Sequence, residues 1–177
     1  RATRGEAAAG AAVFTRNQVV AAPIRLSRAH LNATEAGGGG KFGWADAIVT
    51  TAGSANAATG IVGDTDQGEV GEALAALLHT KAERTLALST GVIGVRLPVA
   101  KVKEGLGRLI PTLAATDEGL GTVAAAIMTT DTKIKLATTS IEMAGPDGDL
   151  VKVTGSGTDK GVGRNRPARA PILRLRP

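Results

Sequence analysis

The stretch Asp46-Ala47-Ile48-Val49-Thr50-Thr51-Ala52 decides how the fold of this chain is interpreted. Its Ile, Val and Thr residues between small side chains are typical of a buried β-strand. A loop of small polar residues follows at 53–60, and the apolar spacing from Val70 onward predicts a helix over residues 66–80. Residues 84–89 then return to a strand. This succession predicts helices packed in a layer on a sheet.

Further elements are predicted on both sides of this segment. Towards the N-terminus they are strands over 11–16 and 18–26, a short helix over 27–36 started by Ser27, and a break at the four glycines 37–40. Towards the C-terminus they are a helix from Pro98 to about residue 110, a helix capped by Thr116 or Asp117 that runs to about residue 128, and a hairpin with strands 133–143 and 150–154 around the turn 145–148. Strands and helices alternate and end in a hairpin, which indicates one layered α/β or α+β domain.

The composition excludes several kinds of chemistry. The chain of 177 residues has no cysteine and two histidines, which excludes thiolate chemistry and argues against a histidine-rich metal site. No apolar run approaches the roughly 18 residues needed to cross a bilayer. No secretion signal opens the chain. We therefore expect a soluble, cytoplasmic protein that does not bind a membrane.

Basic residues are concentrated at one end of the chain. The formal net charge is +5, yet residues 160–177 hold six of the 21 Lys and Arg residues and no acid, so the rest of the chain is almost neutral. Such a tail can neutralise nucleic-acid phosphates. No aromatic residue accompanies it for stacking on bases. A basic-tailed nucleic-acid-binding domain is therefore the least favoured alternative.

The hexapeptide Ser89-Thr90-Gly91-Val92-Ile93-Gly94 carries the clearest functional signal. A Thr hydroxyl and a glycine amide at a strand end can form an oxyanion hole, or they can be a simple strand-to-helix turn. Thr129 is either a binding residue or part of a helix end, and Lys160 is either an anion partner or a solvated lysine. The chain offers no evident nucleophile to start a reaction at such a site.

Five segments, taken in order, resemble the N-terminal (alpha) chain of the ornithine acetyltransferase, or glutamate N-acetyltransferase, family. They are Val13-Phe14-Thr15-Arg16-Asn17-Gln18-Val19, Gly53-Ser54-Ala55-Asn56-Ala57, the hexapeptide with Arg96-Leu97-Pro98, residues 126–132, and Lys160-Gly161-Val162-Gly163. The resemblance covers most of the chain. It implies a layered α+β fold of the αββα type, similar to N-terminal-nucleophile hydrolases, with mixed sheets between helix layers.

The resemblance also implies an activity and a set of residues. A family precursor cleaves itself before a threonine, which becomes the first residue of a separate beta chain and the nucleophile, its own α-amine acting as the base. Thr90 and Gly91 match the oxyanion pair, and Thr129 and Lys160 match substrate-binding positions. The implied reaction is ping-pong transfer of acetyl from N-acetylornithine to glutamate. No cofactor is implied, and acetyl-CoA remains open as an alternative donor.

The same resemblance sets the expected assembly and its boundaries. The implied partner is the beta chain of the same precursor in an α2β2 heterotetramer that acts on small molecules and binds no nucleic acid. In place of the family's Ala-Thr cleavage point, this chain has Ala170 followed by Pro171. We therefore predict one domain over 1–170 and a divergent or misassigned tail over 171–177. An amidohydrolase or aminopeptidase of the same fold is the alternative enzyme.

Overall fold

The computed structural model describes residues 7–144, 148–158 and 174–176. The chain divides into two compact units, Ala2–Leu113 and Ala114–Pro177, the second of which also takes in Arg1. Each unit combines helices with strands. The prediction of one domain over 1–170 with a separate tail stays a prediction, because residues 159–173 lie outside the described part of the chain.

The first unit is built on a pair of parallel strands, β3 (Ala47–Ser54) and β4 (Thr85–Val92), which run in register from Ala47 opposite Thr85 to Ser54 opposite Val92. Its other elements are β1 (Ala8–Ala11) paired antiparallel with β2 (Phe42–Ala45), and the helices α1 (Ala22–Thr34), α2 (Gly60–Leu78) and α3 (Val99–Leu109). α2 connects β3 to β4, because two parallel strands need a long crossover connection and a helix usually supplies it.

The core of this unit lies between the β3–β4 pair and the helices. Val49 and Ala87 from the strands pack with Val70 and Leu74 from α2, and Leu97 and Leu106 complete the cluster. The i, i+4 spacing of Val70 and Leu74 places both side chains on one face of α2. The predicted apolar stripe, which also includes Ala73 and Leu78, therefore packs against the core, except Leu77, which is 41% exposed.

The second unit contains one helix and a meander of strands. α4 (Asp117–Ala126) is capped by Thr116, whose Oγ1 accepts a hydrogen bond of 3.1 Å from the amide of Gly119. Asp117 and Glu118 in its first turn favour the positive end of the helix dipole. β5 (Leu136–Ala144) pairs antiparallel with β6 (Leu150–Thr158), and β6 pairs with β7 (Arg174–Arg176). The predicted hairpin is confirmed, although its first strand begins at Leu136 and not at 133, and its second continues to Thr158 and does not end at 154. Residues 145–147 of its turn lie outside the described residues.

Two predicted N-terminal strands are wrong. Of residues 11–16 only Ala11 is in a strand, and the predicted strand 18–26 instead leads into α1 from Ala22. Pro23 stands in the first turn of α1, where its fixed φ and missing N–H favour a helix. The buried residues of α1 are Ala22, Pro23, Ser27 and Leu31.

Three predicted boundaries also differ from the structure. The helix placed at 27–36 begins at Ala22, so Ser27 is buried within α1 and does not cap it. α2 begins at Gly60, inside the segment interpreted as a loop, and the buried residues of its first two turns include Gly63 and Gln67. β4 continues to Val92, so the first four residues of the hexapeptide belong to the strand.

Candidate functional site

Gly91 lies near the end of β4 opposite Gly53 of β3, and both glycines have positive φ, 136° and 113°. Side chains rarely adopt such angles. A Cβ atom at Gly91 would come within 2.3 Å of the carbonyl carbon and oxygen of Gly53 and within 2.7 Å of the Ser54 nitrogen. The two strands therefore approach each other here at a distance that only glycine permits.

Thr90 points to the opposite face of the strand from Gly91 and Ala87, because successive side chains alternate across a sheet. Ala87 is buried against the core, whereas Leu88 and Val92, which share the Thr90 face, are 37% and 59% exposed. On β3, Ile48 of the same face is 48% exposed. Thr90, itself half-buried, thus lies on a largely apolar sheet face whose neighbouring side chains are exposed, and no described residue hydrogen-bonds to its hydroxyl.

A buried polar network lies beside the Gly53–Gly91 pair. Asn56 is fully buried in a left-handed conformation with φ of 44°. Its Nδ2 donates to the carbonyl of Gly63 at 2.9 Å and to Oε1 of Gln67 at 3.3 Å, while its Oδ1 accepts from the hydroxyl of Thr59 at 2.8 Å. These bonds fix the loop between β3 and α2, since asparagine tolerates this conformation and both polar atoms of the Asn56 side chain are hydrogen-bonded.

The segment that follows the hexapeptide is clamped to α2 by an ion pair. Arg96 donates from Nε and Nη2 to the two carboxylate oxygens of Asp66, at 2.9 and 2.7 Å. Asp66 is only 3% exposed. These hydrogen bonds lower the pKa of Asp66 below its usual value, although burial acts in the opposite direction. A two-point contact of this kind fixes orientation as well as charge.

This clamp predicts a pH-dependent stability. A lowered pKa in the folded state means that Asp66 stabilises the protein above the unfolded pKa of about 4, and that this contribution is lost as the pH falls further. We expect Arg96→Met to lower the urea midpoint at pH 7 and the difference from the parent to shrink towards pH 3. Urea unfolding at pH 7, 4 and 3 measures this.

Lys103→Met is the matched control for the clamp. Lys103 pairs with Glu69 at 2.7 Å, but both side chains are more than two fifths exposed. Exposed pairs contribute little, so this variant should follow the parent at every pH. An Arg96→Met deficit that is equally large at pH 3 and pH 7 would contradict the linkage.

The structure places the predicted site residues in different parts of the chain. Thr90 and Gly91 lie in the first unit, beside the last residues of β3. Thr129 is exposed in the second unit, in the segment that follows α4. Lys160 lies outside the described residues. The substrate-binding roles of Thr129 and Lys160 and the oxyanion role of Thr90 and Gly91 stay predictions.

The described residues contain few groups for other chemistry. Among them no cluster of three or more His, Asp or Glu side chains is arranged to hold a metal ion. In the same part of the chain, no helix combines the length and the apolar character required to span a membrane. The strand end does carry a Thr hydroxyl beside a glycine amide, two groups of the kind that stabilise a developing negative charge.

Sequence reasoning missed the residues that hold this strand end. Ser54, Asn56 and Asp66 were interpreted as parts of a polar loop or a helix, and Arg96 only as part of a motif. A signal was available in Asn56, because an asparagine within a run of small residues favours a left-handed turn. The pairing of Asp66 with Arg96 had no local signal.

The class is that of a layered α+β chain with a Thr hydroxyl beside a glycine at a strand end, and comparison with known proteins gives the family. The model of the ArgJ family matches residues 2–175, and the chain belongs to that family. It is 39% identical over 168 residues to the arginine biosynthesis bifunctional protein ArgJ of Methylococcus capsulatus, covering 95% of this chain and 37% of that protein. The chain therefore spans well under half the length of this relative.

Two solved structures are similar to the chain. The arginine biosynthesis bifunctional protein ArgJ of Bacillus halodurans aligns with a TM-score of 0.70 and 30% identity, over 92% of this chain and 78% of that one. The ornithine acetyltransferase of Mycobacterium tuberculosis, solved with ornithine, aligns with a TM-score of 0.65 and 33% identity, over 96% and 78%. The predicted family and the layered α+β, N-terminal-nucleophile-hydrolase-like fold class are confirmed.

Proposed function

We propose that this chain is the alpha chain of an N-acyltransferase that moves acetyl from N-acetylornithine to glutamate. The observation that carries the proposal is the Thr90–Gly91 strand end, where the hydroxyl of Thr90 lies on an exposed sheet face and Gly91 packs directly on β3. The Mycobacterium tuberculosis relative is an ornithine acetyltransferase solved in complex with ornithine, which supports the substrate class.

The chemistry requires donors of this kind. Attack on the amide carbonyl of N-acetylornithine converts a neutral oxygen into an oxyanion, which the hydroxyl of Thr90 and the amide of Gly91 would stabilise. Donors held by the fold do not have to reorganise during the reaction, and each contributes about 3 kcal/mol of transition-state stabilisation. The same pair would serve both halves of the reaction, because each half passes through a tetrahedral intermediate.

The nucleophile would belong to a second chain. We assign it to a threonine at the start of a beta chain made by self-cleavage, because among the described residues no Ser or Thr hydroxyl is hydrogen-bonded to a histidine or lysine side chain that could act as its base. Relative lengths support a second chain. The present chain covers 78% of each solved chain but 37% of the Methylococcus capsulatus protein, so the solved chains are much shorter than that protein. The assembly that we propose for the two chains is an α2β2 heterotetramer.

The proposed ping-pong reaction transfers the acetyl group in two halves, first to the threonine and then to glutamate. The threonine oxygen attacks the acetyl carbon and passes its proton to the α-amine of the same residue. The tetrahedral oxyanion then collapses, the carbon–nitrogen bond breaks, and that proton leaves with the amino group of ornithine. Glutamate repeats the sequence in reverse on the acetyl-threonine ester. Thr129 and Lys160 are proposed to hold the substrates, without a cofactor.

Product analysis tests this function. The complete enzyme, incubated with N-acetylornithine and glutamate, is expected to form ornithine and N-acetylglutamate in equal amounts, and mass spectrometry is expected to find a partner chain that begins with threonine. Omitting glutamate should stop ornithine release after about one equivalent per site, because the acetyl group stays on the enzyme.

Other outcomes identify the alternatives. Steady release of acetate with and without glutamate would replace the transferase with an amidohydrolase or aminopeptidase of the same fold. Acetylglutamate formed from acetyl-CoA would add a second donor. Salt-dependent RNA binding that is lost on removal of residues 160–177, without any acetyl transfer, would favour the nucleic-acid alternative. Fractionation of the producing cells tests the cytoplasmic location.

A further inference from the structure

Ser54 is the last residue of β3, and its hydroxyl hydrogen-bonds to the backbone of two segments that lie far from each other in the sequence. Its Oγ donates to the carbonyl of Val95 at 2.6 Å and accepts from the amide of Asn56 at 3.1 Å. The residue is only 5% exposed. One buried hydroxyl therefore joins the loop after β3 to the segment after β4.

These two segments flank Gly91. Main-chain hydrogen bonds already connect them, from the amide of Ala55 to the carbonyl of Val92 at 2.9 Å and from the amide of Gly94 to the carbonyl of Ala57 at 2.8 Å. The nitrogen of Ser54 itself lies in the space that a Cβ on Gly91 would need. The main chain of Ser54 thus lies against Gly91, and its side chain holds the segment that follows β4 through the carbonyl of Val95.

We propose that Ser54 is a positioning residue that holds the Gly91 amide and the Thr90 hydroxyl in the orientation for oxyanion stabilisation. This inference rests on the proposed acyl transfer. Ser54 does not reach the reacting atoms, since its side chain is buried and both of its hydrogen bonds go to the backbone. Its effect on the reaction passes through the placement of the strand end, where a displacement of about 1 Å reduces the rate.

Ser27 provides a matched control within the same unit. Its hydroxyl also makes two hydrogen bonds with the backbone, donating to the carbonyl of Ala87 at 3.0 Å and accepting from the amide of the same residue at 2.9 Å. Ser27 is 6% exposed, so its burial matches that of Ser54. The difference is location, because Ser27 supports the middle of β4 and Ser54 supports the end that carries Gly91.

The experiment compares Ser54→Ala and Ser27→Ala in the complete enzyme. Both variants lose two hydrogen bonds, so thermal unfolding should show a similar fall in Tm of a few degrees, about 4–8 °C. Steady-state rates are measured for the N-acetylornithine and glutamate half-reactions and normalised to active sites by trapping the acetyl-enzyme. Ser54→Ala is expected to lower kcat about tenfold in both halves with KM within about twofold, and Ser27→Ala to leave kcat within about twofold.

Ser54→Cys gives a second measurement. Cysteine has nearly the same shape and a weak S–H donor, so kcat should lie between the parent and Ser54→Ala. If Ser54→Ala cannot be isolated folded, Ser54→Cys is compared with Ser27→Ala in its place.

The outcomes separate the two proposals. A parent enzyme that transfers acetyl, together with Ser54 and Ser27 variants of equal kcat per active site, would overturn the positioning role alone. So would a loss confined to KM. A parent enzyme that transfers no acetyl between the two substrates would overturn the proposed function and the positioning role with it. Selective loss of kcat in the Ser54 variants supports both.

Discussion

Gly91→Ala is expected to reduce acetyl transfer by about 100-fold or more, as misplacement of catalytic groups does. The added methyl group would stand within 2.3 Å of the carbonyl of Gly53, at a backbone φ of 136°. Both effects push β4 away from β3 at the point where the proposed oxyanion donors lie. The free energy of unfolding should fall by about 3 kcal/mol, from backbone strain and overpacking together. Acetylglutamate formation and urea unfolding measure the two effects.

Gly94→Ala separates strain from steric overlap. Gly94 belongs to the same hexapeptide and has a positive φ of 81°, yet no atom lies within 4 Å of the position of its Cβ. This variant should lose about 1 kcal/mol of stability from the conformational cost alone and keep most of its activity. Equal losses of activity in Gly91→Ala and Gly94→Ala would contradict a special role for the packing of Gly91 on β3.

Thr90→Val is expected to lower kcat by about 100-fold, the effect of removing one oxyanion-hole donor. Valine keeps the shape of the side chain and removes only the hydroxyl. Because no described residue hydrogen-bonds to that hydroxyl, the free energy of unfolding should change by less than about 0.5 kcal/mol. Single-turnover acetylation of the enzyme by N-acetylornithine isolates the chemical step, and thermal unfolding checks the stability.

Thr90→Ser is the control for the hydroxyl. Serine retains the donor and loses a methyl group on an exposed face, so activity should stay within about tenfold of the parent. A Thr90→Val variant that remains fully active would remove Thr90 from the oxyanion site, whatever the behaviour of Gly91→Ala. If Thr90→Ser and Thr90→Val lose activity equally, the hydroxyl alone does not account for the role of Thr90.

The elements that sequence reasoning placed well are those whose signals are local. Pro98 precedes α3, Thr116 caps α4, and the hairpin strands β5 and β6 pair as expected. Each of these signals depends on residues within a few positions of one another. The failures at 18–26 and at the start of α2 occurred where apolar or glycine-containing segments suit either a helix or an extended chain.

The residues of the candidate site also fall into two groups, those with a local signal in the sequence and those without one. Thr90 and Gly91 stand out in the sequence because a hydroxyl beside a glycine follows a predicted strand. Ser54 and Arg96 did not stand out, since their partners Val95 and Asp66 lie at least 30 residues away along the chain. Which distant residues meet is set by the register of β3 with β4 and by the packing of α2 on that pair.

The sequence by itself determined the family, the α+β class and the identity of the proposed oxyanion pair, because ordered motifs and apolar periods are properties of the chain. Only the tertiary structure decided that Gly91 must be glycine, since its contact with Gly53 exists only when the two strands pair in parallel. It also decided that Ser54 supports this contact and that Thr90 lies on the exposed face of the sheet. These features arise from non-local packing, which places backbone atoms closer together than any side chain allows.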